Sequence, residues 1–194
     1  MTQSQSIRLV AAFALCAAFV LSGCAAKTRY GDARGVETVT NQFGSTDLQM
    51  IAESMTRSML NASVVTEGNR PIVTVQEVKN KTSEYIDTRA ITDSIRVELQ
   101  KSGRVRFAVD AAAMEQQVEE LKRQQSDYYD AKKSVEIGKM VGAPFRLEGN
   151  IASIVKEASG VKDVYYKFNL QLWNVQNGLL EWADEKEIRK TTTK

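Results

Sequence analysis

The chain has 194 residues, 26 Lys and Arg against 24 Asp and Glu, and 43% hydrophobic residues, for a formal net charge of +2. That length suits one domain, and so even a balance carries no sign of the basic face that nucleic-acid binding requires. Histidine is absent, which removes Ser-His-Asp and Cys-His nucleophile pairs together with the commonest zinc ligand.

Residues 1–23 read as a secretory signal peptide: Arg8 near the amino terminus, an apolar run from Leu9 to Leu21, then small residues. The run is shorter than the roughly 20 apolar residues that span a bilayer. Leu21-Ser22-Gly23-Cys24 resembles the bacterial lipobox, in which a diacylglyceryl group is attached to the cysteine before cleavage. The resemblance makes Cys24 the acylated first residue of the mature chain. Ala25 follows, where inner-membrane lipoproteins often carry aspartate, so the resemblance points to the outer membrane, with the domain facing the periplasm. Cys16 lies in the removed run, so the mature chain has no free thiol, no disulfide and no Cys/His set for zinc. No metal or cofactor is expected.

Residues 24–44 read as a short polar tether from the lipidated cysteine. Its typical end-to-end distance is near 25 Å if flexible and at most about 70 Å when stretched. Val36 to Val39 is read as a short strand. The remaining residues, 45–194, form the domain. Thr46-x-x-Gln49 fits a capping box at the start of a helix whose stripe is Leu48, Ile51, Ala52, Met55 and Met59. Glu67 to Pro71 breaks the chain, and Ile72 to Val78 is a β-branched strand. Asn80 to Asp87 is a polar loop. Asp87 or Thr88 caps a second helix that buries Ile91, Ile95 and Leu99 and ends at Lys101-Ser102-Gly103. Arg104 to Val109 is a strand. Asp110 caps a third helix with Met114, Val118 and Leu121, and a turn from Ser126 to Asp130 leads to a shorter helix ending near Gly142.

Three strands follow. Phe145 to Val155 is the first, and Glu157 to Lys162 a glycine-containing turn. Tyr166, Phe168, Leu170 and Leu172 alternate with Lys167, Asn169 and Gln171 as in a half-buried strand. Asn177-Gly178 signals a type I′ hairpin into a last strand from Leu179 to Arg189. The fold class is α/β: a single mixed sheet flanked by helices, with Ile91, Ile95, Leu99, Phe107, Phe168 and Leu170 in one core.

No constellation assembles an active site. Gly138-Lys139-Met140-Val141-Gly142 lacks the order of a phosphate-binding loop and fits a helix end better. Glu119 and Glu120 point about 100° apart on a helix and read as a solvated face. Tyr128-Tyr129 and Trp173 are candidate contact anchors. Trp173 lies on the face opposite Phe168, covered by a helix or open to a partner. The residues point to binding rather than catalysis. The polar loop is the candidate partner-binding site, through Asn80, Thr82, Ser83, Glu84 and Tyr85; its alternative role is to deliver the cap at Asp87-Thr88.

The run Val78 to Thr88, continuing through Ile91-Thr92-Asp93-Ser94-Ile95-Arg96 and Leu99 to Phe107, resembles the penicillin-binding-protein activator lipoproteins called LpoB. Ser45 to Gln49, Gly142-Ala143-Pro144 with Gly149 and Ile151, and Asn177-Gly178 with Trp182 extend the resemblance over residues 44–190. It implies a domain similar to the amino-terminal domain of TolB, carried on an outer-membrane lipoprotein that binds a class A penicillin-binding protein. Such an activator stimulates glycan polymerisation and peptide crosslinking and catalyses nothing. Enterobacterial members carry a long Pro-rich linker, whereas the two prolines here, Pro71 and Pro144, lie within the domain. The alternative reading is a lipoprotein subunit of a curli-type secretion or surface-organelle assembly. That would need membrane-spanning strands with an apolar outer face, for which Tyr166 to Leu172 is the candidate.

Overall fold

A computed structural model describes residues 28–37 and 39–193. The signal peptide, Cys24 and the first residues of the tether lie outside the described residues. Two units are present, one ending at Gly35 and one beginning at Val36. In the first, Asp32 closes a turn by accepting from Arg34 N at 2.9 Å. Val36, Glu37 and Val39 are not in a strand.

The second unit runs α1 (Ser45–Leu60), α2 (Ser63–Thr66), β1 (Ile72–Val75), β2 (Lys79–Lys81), α3 (Thr88–Lys101), β3 (Arg106–Phe107), α4 (Ala111–Gln124), β4 (Phe145–Ala158), β5 (Val161–Asn174) and β6 (Leu180–Thr193). The strands form one mixed sheet in the order β3-β1-β4-β5-β6, with β2 also pairing β4. β1, β2 and β3 run parallel to their neighbours, and β4, β5 and β6 form an antiparallel meander.

Alternation along β5 divides the sheet into two faces. Val164, Tyr166, Phe168, Leu170 and Leu172 are at most 1% exposed. With Leu147, Ile151 and Ile188 they meet the apolar stripes of α1 and α3, the latter including Ile91, Ile95 and Leu99. Phe107 is partly buried against this core. α1 packs on α3 and β6, so its methionines Met55 and Met59 are core residues with no exposed surface. The opposite face of β5 carries Lys167, Asn169, Gln171 and Trp173, with Lys167 salt-bridged to Glu185 at 2.6 Å.

Several local expectations are corrected. α1 begins one residue earlier than its supposed cap: Gly44 precedes it, and Asp47, rather than Gln49, reaches back to accept from Gly44 N at 2.8 Å. The strand from Ile72 breaks after Val75. Between the pairs Val75↔Leu147 and Lys79↔Asn150, β1–β2 has one residue more than β4, which is the count of a bulge. The strand at Arg104 to Val109 contracts to Arg106–Phe107. The shorter helix ending near Gly142 is a run of turns instead. Asp130 O takes Lys133 N and Ser134 N, Ser134 Oγ donates back to Gln124 O at 2.7 Å, and Gly138 has φ +81°. Met114 and Val118 do not join the core, and only Leu121 of that stripe is buried.

The type I′ signature also falls elsewhere. Ser159 and Gly160 have φ of +50° and +78° between the paired Ala158 and Val161, so the two-residue turn joins β4 to β5. At Asn177-Gly178 only the glycine is left-handed, at φ +72°, in a longer connection closed by Gly178 N donating to Asn174 O at 2.9 Å. Gly149 is fixed by close approach rather than by φ, because a Cβ there would lie 2.0 Å from Asn169 O.

Candidate docking loop

β2 sits beside β4 and delivers Asn80 at the mouth of the polar loop. Asn80 Oδ1 accepts from Thr82 N at 2.9 Å and from the Thr82 hydroxyl at 2.8 Å, while its Nδ2 donates to Glu84 O at 2.8 Å. Such side-chain bonds to nearby backbone replace the ladder that β2 has left. The far side of the loop is held by the Thr88 hydroxyl, which donates to Val78 O at 2.8 Å, and by Asp87, which caps α3 by accepting from Ala90 N. The two candidate caps therefore divide the work: Asp87 caps the helix, and Thr88 ties it to the strand end.

Glu84 is turned inward. Its Oε1 accepts from the Tyr166 hydroxyl at 2.5 Å and its Oε2 from Phe43 N at 3.0 Å. The Tyr166 ring meets Phe43 edge-on at 5.8 Å. Burial, and then the hydrogen bond to Glu84, push the Tyr166 hydroxyl well above the usual tyrosine range. Beside this group, Asp47 accepts from Lys190 Nζ at 2.5 Å, and Lys190 also donates to Gln42 O at 2.7 Å. Residues 41–44 are thus held by the loop, by β5 and by β6 together.

Of the five residues expected to face a partner, the structure engages Asn80, Thr82 and Glu84 in building the loop. Ser83 and Tyr85 point to solvent, and Tyr85 is 94% exposed. The hydroxyl that meets a carboxylate here, Tyr166 on Glu84, belongs to a fully buried side chain. A carboxylate whose two oxygens are both occupied is a brace, and Tyr85 is left as an exposed phenol on a hydrogen-bonded loop. Phe43, Asp47 and Lys190 were missed from the sequence. Strand phase was the available signal, since Lys190 sits two residues after the buried Ile188 and so faces the core side.

A family model described as peptidoglycan-synthase activator LpoB matches residues 47–188. The chain belongs to the LpoB family. The match opens at the buried Asp47 and closes at the buried Ile188, so it takes in β1 to β5, the first part of β6 and the loop from Lys79 to Thr88. The LpoB C-terminal domain from Escherichia coli is similar at 20% identity with TM-score 0.45, covering 73% of this chain and 98% of that one. The equivalent domain from Salmonella enterica is also 20% identical, with TM-score 0.44 and the same 73% and 98% coverage. Lipoprotein GNA1162 from Neisseria meningitidis is 14% identical with TM-score 0.42, over 63% of this chain and 84% of that one. No curated protein matches the sequence.

Proposed function

We propose that this LpoB-family chain is an outer-membrane lipoprotein, anchored through Cys24, that binds a class A penicillin-binding protein and stimulates its glycan polymerisation and crosslinking without catalysing either. The observation that carries the reading is the family match over residues 47–188. The loop geometry supports it: Tyr85 and Ser83 are offered on a scaffold that loses little conformational freedom on docking, which favours association. Stimulation follows if the domain binds the active form of the synthase more tightly than the inactive form.

The outward side of the β5 alternation is Lys167, Asn169 and Gln171, which is not a lipid-facing surface, so the assembly-subunit reading finds no support there. The tether is shorter than its composition suggests. Glu37 N donates to the Thr46 hydroxyl at 2.7 Å and the Glu37 carboxylate accepts from Ser45 N at 2.9 Å, so the domain's fixed portion begins ahead of α1. From Ala25 to Gly35 the chain can span only about 40 Å.

The test adds the purified Cys24→Ala chain to a class A synthase and follows both reactions. The wild-type domain sequence raises the rates, and Tyr85→Ala weakens the effect at least fivefold with an unchanged urea midpoint. Unchanged rates at saturating domain with every cognate synthase overturn the proposal. In cells, Cys24→Ala leaves a folded domain that no longer fractionates with outer membrane; normal fractionation refutes the anchor.

A further inference from the structure

The starting edges of β1, β3 and β4 and the β5–β6 connection enclose a cleft of about 640 Å³. Its lining includes the apolar Ile72, Phe107, Met114, Met140, Val141 and Val175 together with Arg106 and Arg146, and contains no carboxylate. Arg146 Nε lies 3.2 Å from Glu148. The Arg106 guanidinium has no partner among the described residues. Beside it a second cleft of about 580 Å³ shares Ile72 and Arg106 and adds Arg70, Pro71 and Phe145. Glu67 and Glu181 line that second cleft, and Glu181 accepts from Asn174 Nδ2 at 3.1 Å. Arg70 has φ +52° immediately before Pro71, a strained conformation for a residue with a side chain.

Apolar surface continues past the cleft. Met140, Val141 and Val175 are 49%, 66% and 54% exposed, and neighbouring Ile137 is 61% exposed. A site for a small molecule encloses most of its ligand, whereas a patch that spills onto the surface suits a macromolecule. Methionine and arginine are also the side chains enriched at the centres of protein interfaces. Position agrees with this. Val36 lines a different cleft with Gly160 and Thr192, at the other end of strands that are 14 residues and roughly 45 Å long. The chain enters the domain at one end and offers the Arg106 cleft at the opposite end.

We infer that this end of the domain is a second protein-docking surface, one that takes an acidic–apolar segment of its partner. A carboxylate pairs with Arg106 in the forked geometry a guanidinium offers, and a large apolar side chain fills the cleft between Met114, Met140 and Val141. An excess of cations over anions in the lining sets the preferred charge of the occupant.

The test uses the Cys24→Ser chain, free of acyl groups and detergent, labelled with ¹⁵N. The probe is a short glycine- and serine-based peptide bearing leucines and glutamates. Comparison probes replace glutamate by lysine, or leucine by serine, and dodecanoate stands for a small amphiphile. The acidic–apolar peptide shifts the amides of Phe107, Val141 and Val175 saturably, with Kd of roughly 0.1–1 mM. Arg106→Glu, on an exposed edge strand, weakens it at least tenfold and makes the lysine peptide the tighter binder. Val141→Ser, on an exposed connection, weakens it at least threefold with unchanged spectral dispersion. The inference is overturned by the absence of saturable shifts, by equal affinity of the acidic and basic peptides, by indifference to Arg106→Glu, or by binding of dodecanoate with no binding of peptide.

Discussion

Lys190→Met should destabilise the domain by leaving the Asp47 carboxylate without its cation. The Asp47 side chain is 2% exposed and the Lys190 side chain 20% exposed, and they meet at 2.5 Å. Breaking a buried pair by removing one partner costs about 3–5 kcal/mol. Two features lower that here. Asp47 keeps the Gly44 N–H at 2.8 Å in the first turn of α1, where the helix dipole favours a negative charge by about 0.3–1 kcal/mol. Lys190 also retains partial contact with water, which weakens the pair that is lost. The expected loss is about 2–4 kcal/mol. With an m-value of about 2 kcal/mol/M, the urea midpoint falls by about 1–2 M, read by tryptophan fluorescence and circular dichroism. Asp47→Asn combined with Lys190→Met removes the charge as well as its partner and should recover all but about 1 kcal/mol. A midpoint shift below about 0.3 M in the single variant, or a double variant as unstable as the single, would refute the argument.

Two further outcomes follow from the core. Leu99→Ala and Phe168→Ala, both at positions with no exposed surface, should each cost about 2–5 kcal/mol through lost burial plus a cavity, and a midpoint shift under about 0.5 M in urea would contradict the packing. Because the folded Tyr166 hydroxyl is held above its ordinary range and an unfolded tyrosine ionises near pH 10, its contribution is present below about pH 10 and falls as pH rises beyond it. The slope from this one group reaches up to about 1.4 kcal/mol per pH unit, and Tyr166→Phe should flatten the urea-midpoint profile between about pH 9.5 and 11; an unchanged slope shows that Tyr166 does not set it.

Periodicity made the core legible and was blind to what interrupts it. Ile91, Ile95 and Leu99 share one helical face, and Phe168 and Leu170 one strand face, so burying either stripe fixes both phases. The β1–β2 bulge was not legible, because an extra residue between Val75 and Lys79 is set by pairing with β4, a partner some 70 positions away. Turn chemistry misled in one place for a similar reason. Asn177-Gly178 has the better local preference, but the register shift at Leu172/Trp173 lengthens that connection and leaves the tight turn to Ser159-Gly160. In the docking loop, residue type identified polar groups without saying which way they face. Asn80, Thr82 and Glu84 find partners in the loop itself, in Phe43 and in Tyr166, and the last two are remote in sequence.

Glu84 gives the loop a mechanical relation to the rest of the domain. One carboxylate oxygen takes the backbone of Phe43, the segment through which the chain enters, and the other takes the hydroxyl of Tyr166 from the centre of β5. The Lys190 ammonium binds the same entry segment at Gln42 O and anchors it to Asp47 in α1. The entry segment, the first helix, the central strand and the loop bearing Tyr85 are therefore joined by hydrogen bonds, most of them partly shielded from water. A loop built this way cannot swing independently of the segment through which the chain enters the domain. Its orientation is set by where that segment enters. On the proposed docking at Tyr85, little of the binding energy would be lost to ordering the loop.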